Sequence, residues 1–271
     1  MKLIVMDMDG TLLTSDKKID QETLTTLIDH QKRGDRLVLA SGRVKARLDE
    51  FAKTLKMDEY GGYLIEANGS CIYSYQEQKR EIIREMTHEE IDEILQYMKQ
   101  QFPHNEVIVM ADVNAYVNLV KGQKESGYFN ANNMESLRNR DIIYFQDVHE
   151  IKEMFFKVCV FDTPEKIDEM ALIVQRDLSH KYWSGKTMPF WLEILPKEVS
   201  KGNALLQVMK ELNVKKEEVY AFGDGENDIS MLQVGHGIAM ENATQSVKAV
   251  CESITLSNEK AGIAAYLKKL K

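Results

Sequence analysis

The sequence predicts an α/β protein with a mainly parallel sheet and an inserted α+β unit. Short apolar runs alternate with amphipathic helices in the first third of the chain and again after residue 196. In between, β-like runs follow one another across longer loops and share the segment with only two helices. Strict alternation is typical of a parallel sheet, whereas clustered strands are typical of an α+β unit. We therefore expect a discontinuous core, residues 1–83 and 188–271, with residues 84–187 inserted as a second domain.

The first half of the core is predicted to contain four strands and two helices. Residues 3–6 and 36–40 are continuous apolar runs, as in strands buried on both faces. A helix over residues 20–33 would be capped by Asp20 and ended by Gly34, and a second helix is expected near residues 44–56. Residues 63–73 predict two strands joined by an Asn-Gly turn.

The inserted segment and the second half of the core follow the same rules. Thr87 and Glu90 have the spacing of a capping box at the start of a helix over residues 87–101, and Pro164 suits the first turn of a helix over 164–178. The β-like runs of the insertion are residues 106–111, 115–120, 154–162 and 181–195. After residue 196 we expect a strand at 219–223 and helices at 201–212, 227–233 and about 260–270.

Composition excludes several classes of protein. A net charge of −8 over 271 residues argues against general binding to nucleic acids or membrane surfaces, although a local site can still attract an anion. No apolar run approaches the length of a membrane span, and no leader sequence is apparent, so a cytoplasmic location is expected. Three distant cysteines in apolar surroundings predict reduced core thiols rather than a metal cluster.

Four polar groups stand at the predicted strand ends or at the start of a helix. In an open α/β sheet, ligands bind beyond the carboxyl ends of the strands. A buried carboxylate, moreover, needs a cation or hydrogen-bond donors to remain charged. The four groups are Asp7, Asp9 and Thr11 after the first strand; Ser41, Gly42 and Arg43 after the second; Lys201 at a helix start; and Gly223 to Asp228 after the strand at 219–223.

Each group alone has an ordinary structural interpretation. Gly223 to Gly225 could form a simple turn, Ser41 could cap the following helix, and Lys201 could be one more solvated lysine. Together they indicate a phosphoryl site. The acidic residues supply oxygen ligands suited to Mg²⁺, and Ser41 at a helix N-terminus, together with Lys201, supplies groups that bind an anion.

The motifs DMDGT, SGR, SKGNAL and GDGENDISML resemble those of the haloacid dehalogenase-like hydrolases, and they occur here in that order. The sequences ANGS, GHGIAMENA and AGIAAYL make the chain similar to the Cof-type branch of that superfamily. The resemblance implies a three-layer, Rossmann-like core and makes residues 84–187 an α/β cap that selects the substrate. It further implies a Mg²⁺-dependent phosphatase acting on a small-molecule phosphate ester, either a sugar phosphate or a phosphorylated cofactor.

The resemblance also implies a role for each motif residue. Asp7 would attack phosphorus to form an aspartyl-phosphate, and Asp9 would act as acid and then as base. Lys201 would neutralise the developing charge. The remaining roles are phosphate binding by Met8, Ser41, Gly42, Asn227 and Lys201; Mg²⁺ binding by Asp7, Asp224 and the backbone carbonyl of Asp9; and support by Thr11 and Asp228.

Other residues are expected to be structural or are ambiguous. The six histidines lack metal-ligand spacing. Most of Tyr182, Trp183, Phe190 and Trp191 are expected to pack in the cap core, although they could line a pocket. Residues 120–133 could be a specificity loop or a solvated connection. Two rival functions remain open: a phosphomutase or another phosphotransferase that uses the same aspartyl-phosphate, and a non-catalytic, phosphate-binding regulatory domain. The sequence leaves the oligomeric state open.

Overall fold

The chain folds into two compact units. A computed structural model describes residues 1–118 and 141–270. The first unit comprises Met1–Ile83 and Val199–Lys271, and the second comprises Arg84–Glu198. The predicted run at 115–120 extends beyond the described residues, and the predicted loop at 120–133 lies outside them entirely.

An eight-stranded sheet forms the centre of the first unit, in the order β14-β13-β12-β1-β2-β3-β4-β5. All neighbours from β14 to β3 are parallel, and β4 and β5 are added antiparallel at one edge. The mainly parallel sheet is therefore confirmed. The strands are β1 Leu3–Met6, β2 Arg36–Ala40, β3 Tyr63–Glu66, β4 Cys71–Ser74, β5 Lys79–Ile82, β12 Val219–Gly223, β13 His236–Ala239 and β14 Ser253–Ile254.

Strand β1 is central and covered on both faces. All four of its side chains are fully buried, and successive side chains of a strand point to opposite faces. Both faces are therefore covered, as a three-layer core requires. In the register of the sheet, Met6 lies beside Leu39 of β2 and Phe222 of β12. This register brings the residues that follow the three strands to one edge of the sheet.

The helices of the first unit differ from the predicted pattern after β2, and the helix at Gln245–Val250 was not predicted. Helix α1 begins after Asp20, whose side chain accepts hydrogen bonds from the amides of Glu22 and Thr23. The single helix predicted at 44–56 is instead a short 3-10 helix at Lys45–Arg47 followed by α2 and α3, because Lys56 adopts left-handed backbone angles and separates these two. The bounds are α1 Gln21–Lys32, α2 Asp49–Thr54, α3 Met57–Tyr60, α6 Lys201–Leu212, α7 Ile229–Leu232, α8 Gln245–Val250 and α9 Gly262–Leu267.

The second unit contains a six-stranded sheet in the order β10-β11-β9-β6-β7-β8. Its pairs are antiparallel except for β7 with β8. The main core cluster contains residues of both helices and of the sheet. The elements are α4 His88–Gln101, α5 Pro164–Leu178, β6 Val107–Ala111, β7 Ala115–Asn118, β8 Ile142–Phe145, β9 Phe155–Phe161, β10 Tyr182–Met188 and β11 Trp191–Pro196.

The end of the second unit differs from the prediction. The sequence placed the return to the core at residue 188, whereas the second unit extends to Glu198. The reason is that β11 pairs with β9 and β10, which keeps residues 191–196 in the second sheet. Of the four aromatic residues assigned here, Tyr182 and Trp191 are fully buried, and Phe190 is partly buried against the core.

The structure also bears on two expectations from the sequence, the lack of a membrane-spanning segment and the state of the cysteines. Within the residues that the structure describes, no helix has both the length and the apolar character needed to cross a membrane. All three cysteines are free thiols, of which Cys71 and Cys159 are buried.

Removing the cap of α4 should weaken the second unit. The Thr87 hydroxyl accepts a hydrogen bond from the Glu90 amide at 3.2 Å, and the Glu90 carboxylate accepts one from the Thr87 amide at 3.0 Å. We expect Thr87→Ala to lower the free energy of unfolding by about 1 kcal/mol, because an amide at the helix start loses its partner. Chemical denaturation measures the change. Thr87→Ser keeps the hydroxyl and is the control; equal losses in both variants would contradict the capping role.

Candidate active site

The predicted polar groups meet at the carboxyl edge of the parallel sheet. Asp7 directly follows β1, Ser41 follows β2 and Asp224 follows β12. Lys201 is the first residue of α6, and its ammonium donates hydrogen bonds to Asp7 Oδ1 at 2.5 Å and Asp228 Oδ1 at 2.6 Å. Three residues that are distant in sequence, Asp7, Lys201 and Asp228, are thus joined in one buried cluster.

Lys201 is the only cation bonded to Asp7 and Asp228 among the contacts of the described residues. Its side chain has no solvent exposure. Burial alone would lower the pKa of this lysine, but the negative charges of Asp228 and Asp7 outweigh it and raise the pKa above its usual range. The ammonium therefore remains charged. A neutral amine would leave the two buried carboxylates without a counterion, which would destabilise the cluster.

Three carboxylates of this cluster could hold a cation. One oxygen each from Asp7, Asp224 and Asp228 lies within 4.8 Å of the others. When the three carboxylates are ionised, they and the Lys201 ammonium have a net charge of −2, which a divalent cation would neutralise. Carboxylate oxygens are also the ligands preferred by hard cations such as Mg²⁺. The donor set and its charge therefore fit a divalent metal.

The electrostatics of Asp7 and Asp224 reflect the same excess of negative charge. Burial, with the charge of Asp228 as the next cause, raises the pKa of Asp7 well above its usual range despite the opposing effect of Lys201. The same two causes raise the pKa of Asp224 to about 7. Thr11 opposes the shift at Asp224, because its hydroxyl donates to Oδ1 at 2.7 Å and favours the charged form.

The turns beside the cluster require particular residues. Gly10 has φ +82°, and a Cβ at this position would lie 2.4 Å from Asp224 Oδ2, so only glycine permits this approach. Asp228 is 1% exposed and accepts hydrogen bonds from the amides of Asp224 and Gly225, each at 3.0 Å, through its second oxygen. Asp228 is thereby fixed both to Lys201 and to its own loop.

Asp9 lies in a different environment from Asp7. Arg43 donates to both carboxylate oxygens of Asp9, at 3.0 and 2.7 Å, and Lys17 donates to Oδ1 at 2.8 Å. Burial would raise the pKa of Asp9, but the charge and hydrogen bonds of Arg43, aided by Lys17, outweigh it and lower the pKa. The Asp9 carboxylate is not part of the group that could hold a metal. Its predicted contribution, a backbone carbonyl, remains a prediction.

The loop after β2 differs from the expected helix N-terminus. Ser41 is buried, but its hydroxyl accepts a hydrogen bond from the Arg43 amide at 3.2 Å, and Val44 has extended backbone angles before the short 3-10 helix. The local turn therefore replaces the predicted helix start at Ser41 to Arg43. The phosphate-binding roles of Met8, Ser41, Gly42 and Asn227 remain predictions.

Sequence reasoning missed three side chains that contact the site residues. The predicted roles include neither the side chain of Arg43 nor that of Lys17, and both donate hydrogen bonds to Asp9. Asn68 follows β3, and its side-chain oxygen accepts a hydrogen bond from Asn227 Nδ2 at 3.2 Å. A signal for Asn68 was available, because β3 is a neighbouring parallel strand and its carboxyl end must reach the same edge of the sheet.

The chain is similar in sequence and structure to known proteins along its whole length. The family model for haloacid dehalogenase-like hydrolases matches residues 4–267. Phosphatase YwpJ of Bacillus subtilis is 27% identical over 298 residues, covering 100% of both chains. The 5-amino-6-(5-phospho-D-ribitylamino)uracil phosphatase YbjI of Escherichia coli is 26% identical, covering 99% of this chain and 97% of its own. The solved structure of a haloacid dehalogenase-like hydrolase from Bacteroides thetaiotaomicron is 27% identical, with a TM-score of 0.81, covering 100% of this chain and 99% of its own.

Cation binding by this cluster should depend on pH near neutrality. Because burial and Asp228 raise the pKa of Asp224 to about 7, a cation must displace a proton at lower pH. We expect the affinity for Mg²⁺ to fall by about tenfold per pH unit below that value. Titration calorimetry in buffers of different ionisation enthalpy measures both the affinity and the proton release.

Thr11→Val provides the matched variant for that titration. Removing the hydroxyl removes a donor that favours the charged form of Asp224, so the pKa should rise and the pH transition should move upward. An affinity that is constant from about pH 6 to 8, or a transition that Thr11→Val leaves in place, would contradict titration of these carboxylates.

Proposed function

The chain belongs to the haloacid dehalogenase-like hydrolases, in the Cof-type branch, and from this premise we propose that it hydrolyses small phosphorylated metabolites with Mg²⁺ through an aspartyl-phosphate on Asp7. It is an enzyme of the phosphatase class, as are the named relatives that match its full length. The observation that carries the mechanistic proposal is the buried contact of Lys201 with Asp7 and Asp228, next to Asp224.

Asp7 is the proposed nucleophile. One of its carboxylate oxygens attacks phosphorus, the bond from phosphorus to the leaving oxygen breaks, and Asp7 carries the phosphoryl group. The hydrogen bond from Lys201 to Oδ1 fixes the orientation of the carboxylate, and its charge offsets the negative charge that develops during transfer. Asp7, Asp224 and the Asp9 carbonyl, with Asp228 close by, would hold a Mg²⁺ ion, whose charge would reduce the repulsion between Asp7 and the phosphate.

Asp9 is the proposed acid and base. It protonates the leaving oxygen in the first step and takes a proton from water in the second, in which water attacks phosphorus and the bond to Asp7 breaks. The contacts with Arg43 and Lys17 favour the ionised form, which suits the second step. A phosphoryl group that draws Arg43 away would raise the pKa of Asp9 and favour the protonated form needed for the first step.

The substrate class rests on the relatives and on charge. YbjI is named for a phosphorylated ribityl compound, which is a small metabolite with several hydroxyl groups. We propose a sugar phosphate as substrate, with a phosphorylated cofactor second. The net charge of −8 does not favour nucleic acid or a membrane surface as a partner. The free thiols fit a reducing cytoplasm, which we propose as the location.

Replacing the nucleophile should abolish turnover. With p-nitrophenyl phosphate and Mg²⁺, we expect Asp7→Asn to lower kcat by a factor on the order of 10³ or more, because an amide cannot form the phosphoryl intermediate. Asp58→Asn, at an exposed position on α3, makes the same chemical change and should leave kcat unaltered. A wild-type protein that releases no phosphate, or an Asp7→Asn variant that remains fully active, sinks the proposed nucleophile.

Two further measurements on the same protein separate the rival mechanisms. Acid quenching during turnover, followed by peptide mass spectrometry, should locate one phosphoryl group on Asp7. With a hexose phosphate as substrate, a phosphatase releases inorganic phosphate, whereas a phosphomutase forms an isomer and retains the phosphate. Isomer formation that exceeds phosphate release would reassign the function to a phosphomutase.

A further inference from the structure

A strained turn follows β3 at the same sheet edge as the site. Ala67, Asn68 and Gly69 have φ values of +47°, +59° and +111°, so three successive residues lie in the left-handed region. This conformation is unfavourable for alanine and persists only where the surroundings enforce it. Strain of this kind is concentrated at functional sites, so the contacts that enforce it are informative.

The residue before the turn is firmly anchored. The Glu66 carboxylate is fully buried and accepts hydrogen bonds from the Lys45 amide at 2.6 Å and from the Arg80 guanidinium at 3.0 and 2.8 Å. A buried carboxylate paired with a guanidinium fork holds its backbone in a defined position. The backbone position of Glu66, at the start of the turn, is therefore fixed.

The backbone of the turn contacts two of the site segments. The Ala67 amide donates to the Arg43 carbonyl and the Asn68 amide donates to the Ser41 carbonyl, both at 2.9 Å. A Cβ on Gly69 would lie 2.3 Å from the Ser200 carbonyl, directly before Lys201. The turn is thus packed between the loop after β2 and the start of α6.

The side chain of Asn68 reaches the third segment. Asn68 is 3% exposed, and its Oδ1 accepts a hydrogen bond from Asn227 Nδ2 at 3.2 Å. The side-chain oxygen of Asn227 lies on the other side of its amide, 2.8 Å from the place that a Cβ on Gly225 would occupy. One N–H of Asn227 is therefore engaged by Asn68, and the orientation of the whole amide is set.

We propose that Asn68 is a positioning residue for the phosphoryl group, acting through Asn227. Its backbone bonds to Ser41 and its side chain bonds to Asn227, so a single residue sets the spacing of two groups assigned to phosphate binding. The inference rests on the proposed function, because it requires Asn227 to donate its second N–H to phosphate. Asparagine suits the position because it tolerates left-handed angles and offers a neutral acceptor.

Two substitutions of Asn68 test this role without a backbone penalty. Asn68→Gly keeps the left-handed turn and removes only the side chain. Asn68→Asp keeps an acceptor for Asn227 but adds a negative charge close to the phosphate. We expect Asn68→Gly to weaken binding of inorganic phosphate and to raise KM for p-nitrophenyl phosphate by about tenfold, with a smaller change in kcat. Asn68→Asp should weaken phosphate binding further and raise KM more than Asn68→Gly does.

A double variant shows whether Asn68 acts through Asn227. Asn227→Ala alone should weaken phosphate binding, and adding Asn68→Gly should then cost little more, because the group that Asn68 orients is already absent. Ala67→Gly is the matched control within the same turn. It relieves strain and should leave the phosphate affinity and KM unchanged, with thermal unfolding checking that every variant is folded.

Phosphate binding, measured by titration calorimetry with Mg²⁺ present, keeps this test separate from that of the proposed function. Failure of the wild-type protein to release phosphate from any ester refutes the proposed hydrolysis, whereas phosphate binding still tests Asn68. An Asn68→Gly variant that binds phosphate as the wild type does overturns the positioning role. The positioning role is also overturned if the losses of phosphate affinity caused by Asn68→Gly and Asn227→Ala are additive in the double variant.

Discussion

The ammonium of Lys201, buried between the carboxylates of Asp7 and Asp228, is the contact on which the rest of the site depends. Each of the three groups would be costly to bury alone, and removing one partner of such a pair typically costs about 3–5 kcal/mol. Asp7 ends β1, Lys201 begins α6 and Asp228 lies beyond β12, so this contact joins segments that are distant along the chain. The same contact therefore fixes the geometry of the sheet edge and supports the chemistry proposed for Asp7.

Two carboxylates only two residues apart are brought into opposite electrostatic states. Asp7 shares a single cation with Asp228 beside Asp224, so burial and excess negative charge raise its pKa. Asp9 is held by Arg43 and Lys17, whose charges outweigh burial and lower its pKa. Two carboxylates whose pKa values are driven apart by their surroundings can take different roles at one active site, as proposed here for Asp7 and Asp9.

Much of this arrangement follows from the sequence, because parallel strands bring their carboxyl ends to one edge. The positions of Asp7, Ser41 and Asp224 at that edge could be predicted from apolar runs followed by polar residues. The contacts of Asp9 with Arg43 and Lys17 could not, because they depend on side-chain conformations that no spacing encodes. The prediction of a helix N-terminus at Ser41 was wrong, because the Ser41 hydroxyl accepts a hydrogen bond from the Arg43 amide in a local turn. The extension of the second unit to Glu198 depends on the pairing of β11, which local sequence does not specify.

Under the proposed mechanism, the protonation states favoured in the structure are the reverse of those needed for the first step. A nucleophile must be ionised, yet burial and Asp228 favour the protonated form of Asp7. An acid must carry a proton, yet Arg43 and Lys17 favour the ionised form of Asp9. A divalent cation beside Asp7 would stabilise its ionised form, and a phosphoryl dianion would compete with Asp9 for Arg43. The cation and the substrate would thus each reverse one of the two unsuitable protonation states, so the proposed attack on phosphorus would require both.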